Sequence, residues 1–194
     1  MFDKILSVIT ILSILILFPS ITVFANDTNP KVIMKTTKGD MTIELYEDKA
    51  PITVANFLSY VDDKFYDATI FHRVIAGFMI QGGGYTADFH KKATKPPIKN
   101  EAANGLSNKK YTIAMARLPE PDSASAQFFI NHKDNPGLDH KSNNPDEFGY
   151  CVFGKVIEGT EVVEAIASVK TMTRQGQRDV PRETIEIISV RLID

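Results

Sequence analysis

Residues 71–84 read FHRVIAGFMIQGGG, two short apolar runs on either side of Gly77 that carry one arginine and one glutamine. Both runs are β-prone, and alternation along a strand sends every second side chain to the same face. Strict alternation places Arg73 opposite His72 and Val74, and Met79 with Gln81 opposite Phe78 and Ile80. Gly77 lets the chain turn between the runs. Folded against each other, they gather a guanidinium, a thioether, an amide and a phenyl ring on one patch, apolar with two polar handles.

The flanking sequence frames that patch. Residues 31–37 and 41–46 are β-rich and joined by Lys38, Gly39 and Asp40, which predicts a hairpin. Pro51 suits a helix start, and Ile52, Ala55, Phe57, Leu58 and Val61 form an apolar stripe that ends before Asp62. After Gly84 the chain is polar and aperiodic through Pro96 and Pro97 to Gly105, which predicts a long loop. Residues 111–116 read as a strand with Ala114 and Ala116 on one face, leaving room for a ligand, and Ile113 and Met115 on the other. By the same period Gln127 and Phe129 share a face, while Phe128 and Ile130 point into the core. A polar loop over 132–149 precedes a strand over 150–156. A second helix starts at Gly159 or Thr160 with Val162, Val163, Ile166 and Val169 as its stripe, and 183–192 alternate as a closing strand. About eight strands and two helices in one domain suggest a mainly antiparallel barrel or sandwich, and the pattern leaves both open.

Composition narrows the function. The 194 residues are 43% hydrophobic and 24% charged, ordinary for a globular domain, and the net charge of -2 argues against a nucleic-acid partner, which selects basic surfaces. The single cysteine, Cys151, lies in the apolar run YCVFG and reads as a buried structural thiol. A GxSxG elbow and an HExxH helix are both missing, so hydrolase chemistry has no carrier. His132, Asp139 and His140 share a loop without metal-ligand spacing, and no metal site is expected. Residues 1–25 combine Lys4, an apolar stretch from Ile5 to Phe18, Pro19 and a small-residue end at Ala25. That reads as a secretory signal peptide, removed to leave a mature domain over 26–194 with no stable membrane association. An uncleaved anchor is the alternative, since about 20 apolar residues span a bilayer; Pro19 and the compact apolar core favour cleavage.

The run over 71–84 and a second one, SASAQFFIN at 123–131, are similar to the signatures of the cyclophilins, the cyclosporin-binding family of peptidyl-prolyl cis-trans isomerases. The likeness extends in order from about Lys31 to Val190. It implies a closed eight-stranded antiparallel β-barrel capped by two α-helices, one at each open end, its interior filled by side chains and its active site on the outer wall. It implies Arg73 as the catalytic residue and Phe78, Met79, Phe129 and Leu138 as walls for the proline ring. Gln81 and Gln127 would hold the substrate backbone, with Ala116 lining the groove. The substrates would be proline-containing peptides and unfolded exported proteins, the protein a monomer working without cofactor.

Such chemistry suits these residue types. A prolyl amide resists rotation through C–N double-bond character, a barrier of roughly 18–20 kcal/mol. No bond breaks, so catalysis needs only a surface that binds the twisted amide better than either planar isomer. Twisting localises a lone pair on the prolyl nitrogen, and a fixed donor such as Arg73 can bond there or to the adjacent carbonyl. His72, placed on the face opposite Arg73, reads as a hydrogen-bonded structural histidine. A non-catalytic peptide-binding module using the same groove is the rival reading. Departures from the family pattern also carry information. Gly137 stands where many eukaryotic members have tryptophan, which predicts weak cyclosporin binding. Arg117 and Tyr150 stand where those members have asparagine and histidine, and the loop SNNPDEFGY resembles the bacterial periplasmic subgroup, implying a periplasmic location.

Overall fold

In a computed structural model describing residues 29–193, the first hairpin sets the pattern of the sheet. β1 (Lys31–Thr36) and β2 (Gly39–Leu45) pair antiparallel, with Val32, Met34, Met41, Ile43 and Leu45 all buried. The turn is tighter than the sequence suggests. Thr36 pairs with Gly39, and the Thr36 hydroxyl donates to the Gly39 carbonyl at 2.7 Å while accepting from the Lys38 N–H, so Gly39 and Asp40 belong to the strand.

Next come α1 (Pro51–Asp62), β3 (Thr69–Ile75), β4 (Met79–Thr86), β5 (Thr112–Met115) and β6 (Phe128–Asn131). β7 (Val152–Glu158), α2 (Thr160–Ala167), β8 (Thr171–Arg174), β9 (Gln177–Pro181) and β10 (Glu186–Ile193) complete the chain. Eight strands close a barrel in the order β1-β10-β3-β4-β6-β5-β7-β2, every pair antiparallel, so the architecture is a barrel and not a sandwich. Closure leaves no free edge for another strand to join. The interior is packed with side chains, among them Phe57, Tyr66, Phe71, Phe128 and Phe153. Both helices bury an apolar stripe against it: Val54, Phe57 and Val61 from α1, and Val162, Val163 and Ile166 from α2. Val169 packs on the core beyond the end of α2.

α1 starts at Pro51 without a capping side chain of its own. Glu101, in the long loop after β4, substitutes: its carboxylate accepts from the backbone N–H of Ile52 (3.1 Å) and Thr53 (2.8 Å) and from the Thr53 hydroxyl. These are the donors a helix start leaves unpaired, at the end where negative charge is favoured. Cys151 is buried beneath, 3.4 Å from the Thr53 hydroxyl, and burial pushes its thiol up to about 11.

Two features depart from the sequence reading. β8 and β9 form a separate hairpin. Its two-residue turn, Gln175-Gly176, has φ of 49° and 79°, the left-handed pair that matches strand twist. Val180 packs this hairpin on Ile70 and Phe89, over the outside of β3. The second departure is in β3. Phe71 pairs with Gly82 but Arg73 pairs with Gln81, so β3 carries one more residue than its partner there. Such a bulge resets the alternation. Phe71 and Val74 are both in the barrel core, and His72 and Arg73 both line the same outer hollow. His72 therefore does not oppose Arg73.

Candidate active site on the outer wall

Register builds the site as a row across five strands. Arg73 on β3 pairs with Gln81 on β4, Gln81 with Phe129 on β6, Phe129 with Ala114 on β5, and Ala114 with Val152 on β7. The alternate residues Ile80, Phe128, Ile130 and Ile113 fill the barrel, so the row faces outward. One end of it is polar. Arg73 Nη1 donates to Gln81 Oε1 at 3.4 Å, and Gln81 Nε2 donates to Gln127 Oε1 at 3.0 Å. Gly84 makes room for this chain: a Cβ there would sit 2.5 Å from Gln127 Cγ.

The other end is an apolar cluster of Met79, Ala114, Phe129 and Val152, with Phe78, Ala116, Leu138, Leu106, Ile75 and Tyr150 packed on it. Met79 and Phe129 are buried, the rest of the second group half-buried. All eight residues expected from the sequence thus lie on one wall: Phe78, Met79, Ala116, Phe129 and Leu138 in the cluster, and Arg73, Gln81 and Gln127 in the polar chain beside it. Phe78 comes from the β3–β4 turn and Leu138 from the loop after β6, and both converge on the strands only through tertiary folding.

Residues not anticipated as part of the site also border it. Gln177 of the added hairpin lines a hollow of ≈ 340 Å³ together with His72, Arg73, Gln81, Tyr85 and Gln127. Asp179 Oδ2 is 3.9 Å from Arg73 Nε. His72 is only 4% exposed, stacks against Tyr85 with ring centroids 4.7 Å apart, and its Nδ1 has no hydrogen-bond partner among the described residues. Burial pushes its pKa down to about 4 against an opposing hydrogen bond with the Ile70 backbone, and Arg73 beside it adds to the shift, so the ring is neutral next to the guanidinium.

Arg117 has a different task. Its Nε donates to the Gly149 carbonyl at 2.9 Å, its Nη1 to the carbonyls of Leu118 and Pro119, and its Nη2 to that of Pro145 at 3.3 Å. The guanidinium lies 4.7 Å from the Tyr150 ring centre, and Tyr150 meets Phe129 edge-on at 5.6 Å. Arg117 thereby clasps the 142–149 loop and seats Tyr150 against the cleft. A second hollow, ≈ 460 Å³, opens between this loop and Gly137. Its volume is larger than that of the hollow at Arg73, but neither Arg73 nor the glutamine pair lines it. His132, Asp139 and His140 do not converge: His132 bonds Gly77 and Glu164, Asp139 accepts from Asn108, and His140 bonds the Phe148 carbonyl.

The family model for cyclophilin type peptidyl-prolyl cis-trans isomerases matches residues 31–192, nearly all of the described chain. The chain belongs to the cyclophilin-type isomerases. A peptidyl-prolyl cis-trans isomerase of Streptomyces antibioticus is 53% identical over 84% of this chain and 98% of its own length. Isomerase A of Dickeya dadantii is 48% identical over 96% of this chain and 95% of its own. A cyclophilin-type isomerase of Cryptosporidium parvum, crystallised in the presence of the dipeptide Ala-Pro, superposes with a TM-score of 0.69 at 25% identity, covering 84% of this chain and 99% of that one. Peptidyl-prolyl isomerase activity on proline-containing peptides follows from this membership.

Proposed function

We propose that this isomerase turns X-Pro bonds on the outer wall of its barrel, with Arg73 stabilising the twisted amide. The observation that carries the reading is the cross-strand row that sets Arg73 and Gln81 in register with Phe129 and Ala114, a charged donor at the rim of an apolar cleft. Phe78, Met79, Phe129 and Leu138 receive the proline ring, and Gln81 and Gln127 bond the substrate backbone while Ala116 lines the groove. The Ala-Pro dipeptide used with the relative from C. parvum supports a ligand of that chemistry.

Magnitudes divide the work. Bringing a hundred-second rotation to milliseconds takes about five decades, or roughly 7 kcal/mol. A well-placed donor supplies about 3–4 kcal/mol. The remainder comes from the dry cleft and a substrate held bent within it.

The clients are exported proteins, reached in the periplasm after a signal peptide over 1–25 is removed, and the mature domain over 26–194 acts as a monomer. Two features support this: the sequence of the N-terminal segment, which lies outside the described residues, and the loop SNNPDEFGY with Arg117 and Tyr150, which resembles the bacterial periplasmic subgroup. The deciding test is cis-to-trans relaxation of a short X-Pro peptide with the mature chain from Asn26 and its Arg73→Ala variant. A loss of about a hundredfold or more in the variant supports the assignment. An unchanged rate removes Arg73 from the chemistry.

A further inference from the structure

His132 closes a line of hydrogen bonds from α2 to the turn that carries Phe78. Its Nδ1 accepts from the Gly77 backbone N–H at 2.9 Å, and its Nε2 lies 3.0 Å from Glu164 Oε2 on α2. A ring nitrogen that accepts from a backbone N–H bears no proton, so the neutral imidazole carries its proton on Nε2 and donates it to Glu164. The other oxygen of Glu164 accepts from the Tyr111 hydroxyl at 2.9 Å and meets Lys110 Nζ at 3.1 Å, which fixes the far end of the line.

The backbone of His132 reaches the same turn. Its N–H donates to the Phe78 carbonyl at 2.9 Å, as does Asn135 Nδ2, and the Phe78 N–H donates to Ile75. Gly77 itself has φ of 69°, and a Cβ placed on it would meet nothing within 4 Å. The imidazole is what pins its N–H.

We propose that His132 is a positioning residue for the isomerase, fixing the Gly77–Phe78 turn through Nδ1 and thereby the Phe78 wall of the proline cleft. The inference rests on the reading of Phe78 as that wall. Protonation would place a hydrogen on Nδ1 pointing at the Gly77 N–H, two donors face to face, and the bond would be lost. Lys110 and Tyr111 share the Glu164 carboxylate that meets the ring, and Lys133 and Asp134 follow His132 in its loop, Asp134 accepting from the Lys110 N–H. The turn side presents only the uncharged residues Ile75, Ala76, Gly77 and Phe78.

The test measures KM and kcat for the tetrapeptide Ala-Ala-Pro-Ala by NMR exchange, with wild type, His132→Ala, His132→Asn and Phe78→Ala. Asparagine keeps an acceptor where Nδ1 stands, and alanine does not. His132→Ala is expected to raise KM about three- to tenfold, the equivalent of one net hydrogen bond, with kcat within about twofold of wild type. His132→Asn restores KM. Nitrogen-15 spectra of wild type at pH 8 show the Nε2–H tautomer. An Nδ1–H tautomer, or His132→Asn behaving as His132→Ala, overturns the proposal. Phe78→Ala separates the two readings: an unchanged KM there refutes the cleft assignment, whereas a raised KM with His132→Ala silent refutes only the role of His132.

Discussion

Arg73 Nε lies 3.9 Å from Asp179 Oδ2, so the hairpin laid over β3 supplies a counter-charge to the guanidinium of the cleft. The side chains are 42% and 40% exposed, which makes the pair a weak contributor to stability. The effect expected of it is on the orientation of the guanidinium. With Nε facing Asp179 and Nη1 facing Gln81, Nη2 is left without a partner among the described residues. Asp179→Asn is expected to lower kcat/KM about three- to tenfold while moving stability by less than about 0.5 kcal/mol. Because salt screens exposed pairs, 1 M NaCl should bring wild type toward the variant. Equal kcat/KM in the two proteins at low salt would show that Asp179 does not orient the arginine.

His72 gives the fold a pH dependence of known sign. Its pKa falls from 6.5 to about 4 on folding, so between those values the unfolded chain binds more protons than the folded one. Stability is therefore full above about pH 6.5 and declines as pH falls, by up to about 3 kcal/mol once pH is below 4. Urea unfolding of wild type and His72→Phe, which keeps an aromatic ring against Tyr85, checks this: the slope between pH 6.5 and 5 should flatten in the variant. The chemical step should not share the dependence. A guanidinium keeps its charge across the accessible range and His72 is neutral beside it, so kcat is expected to be level from about pH 6 to 9.

The parts of this site that were legible in sequence are those where period-2 alternation runs unbroken. Ala114 and Ala116 face out and Ile113 and Met115 face in, and the same holds for Phe129 against Phe128 and Ile130. At His72 the rule fails because a bulge adds a residue to β3, and nothing in the side chains of FHRV marks it. The hairpin over 171–181 escaped for a related reason. It is short, mostly polar and half exposed, and its Gln-Gly turn lacks the asparagine or aspartate that usually announces the type. Asp179 and Gln177 were missed with it. Phe78 and Leu138 lie in turns, where no period operates: the apolar runs around Gly77 brought the Phe78 ring to the patch, and only the family likeness pointed to Leu138.

Glu101 caps α1 from 48 residues away in sequence, so its removal tests how the long loop is tied to the barrel. Glu101→Ala leaves the N–H groups of Ile52 and Thr53 and the Thr53 hydroxyl without their shared acceptor. The expected cost is about 1–2 kcal/mol, the range for losing a helix N-cap. None of these groups touches the cleft, so kcat/KM at temperatures well below unfolding should match wild type. Thermal unfolding with a parallel activity assay measures both, and a variant as stable as wild type would mean that water replaces the carboxylate without loss.

Gly137 is expected to decide how the cleft treats cyclosporin. It borders the ≈ 460 Å³ hollow beside Tyr150, and a Cβ built on it meets nothing within 4 Å, so the backbone there has room to carry a side chain. In wild type the hollow offers neither an indole N–H nor an aromatic wall at this position, and binding of the cyclic peptide should be weak. Gly137→Trp adds both. One hydrogen bond and one aromatic contact are together worth about 1.5–3 kcal/mol, which is about 10- to 100-fold in Kd. The chain contains no tryptophan, so the introduced indole is the only one and its fluorescence reports binding directly. Isomerase activity should persist in the variant, since Arg73, Gln81 and Phe129 are untouched. If Gly137→Trp binds cyclosporin no better than wild type, the limit lies elsewhere on the wall. Arg117 would then be the residue to change, because it seats Tyr150 and the 142–149 loop at the cleft's rim.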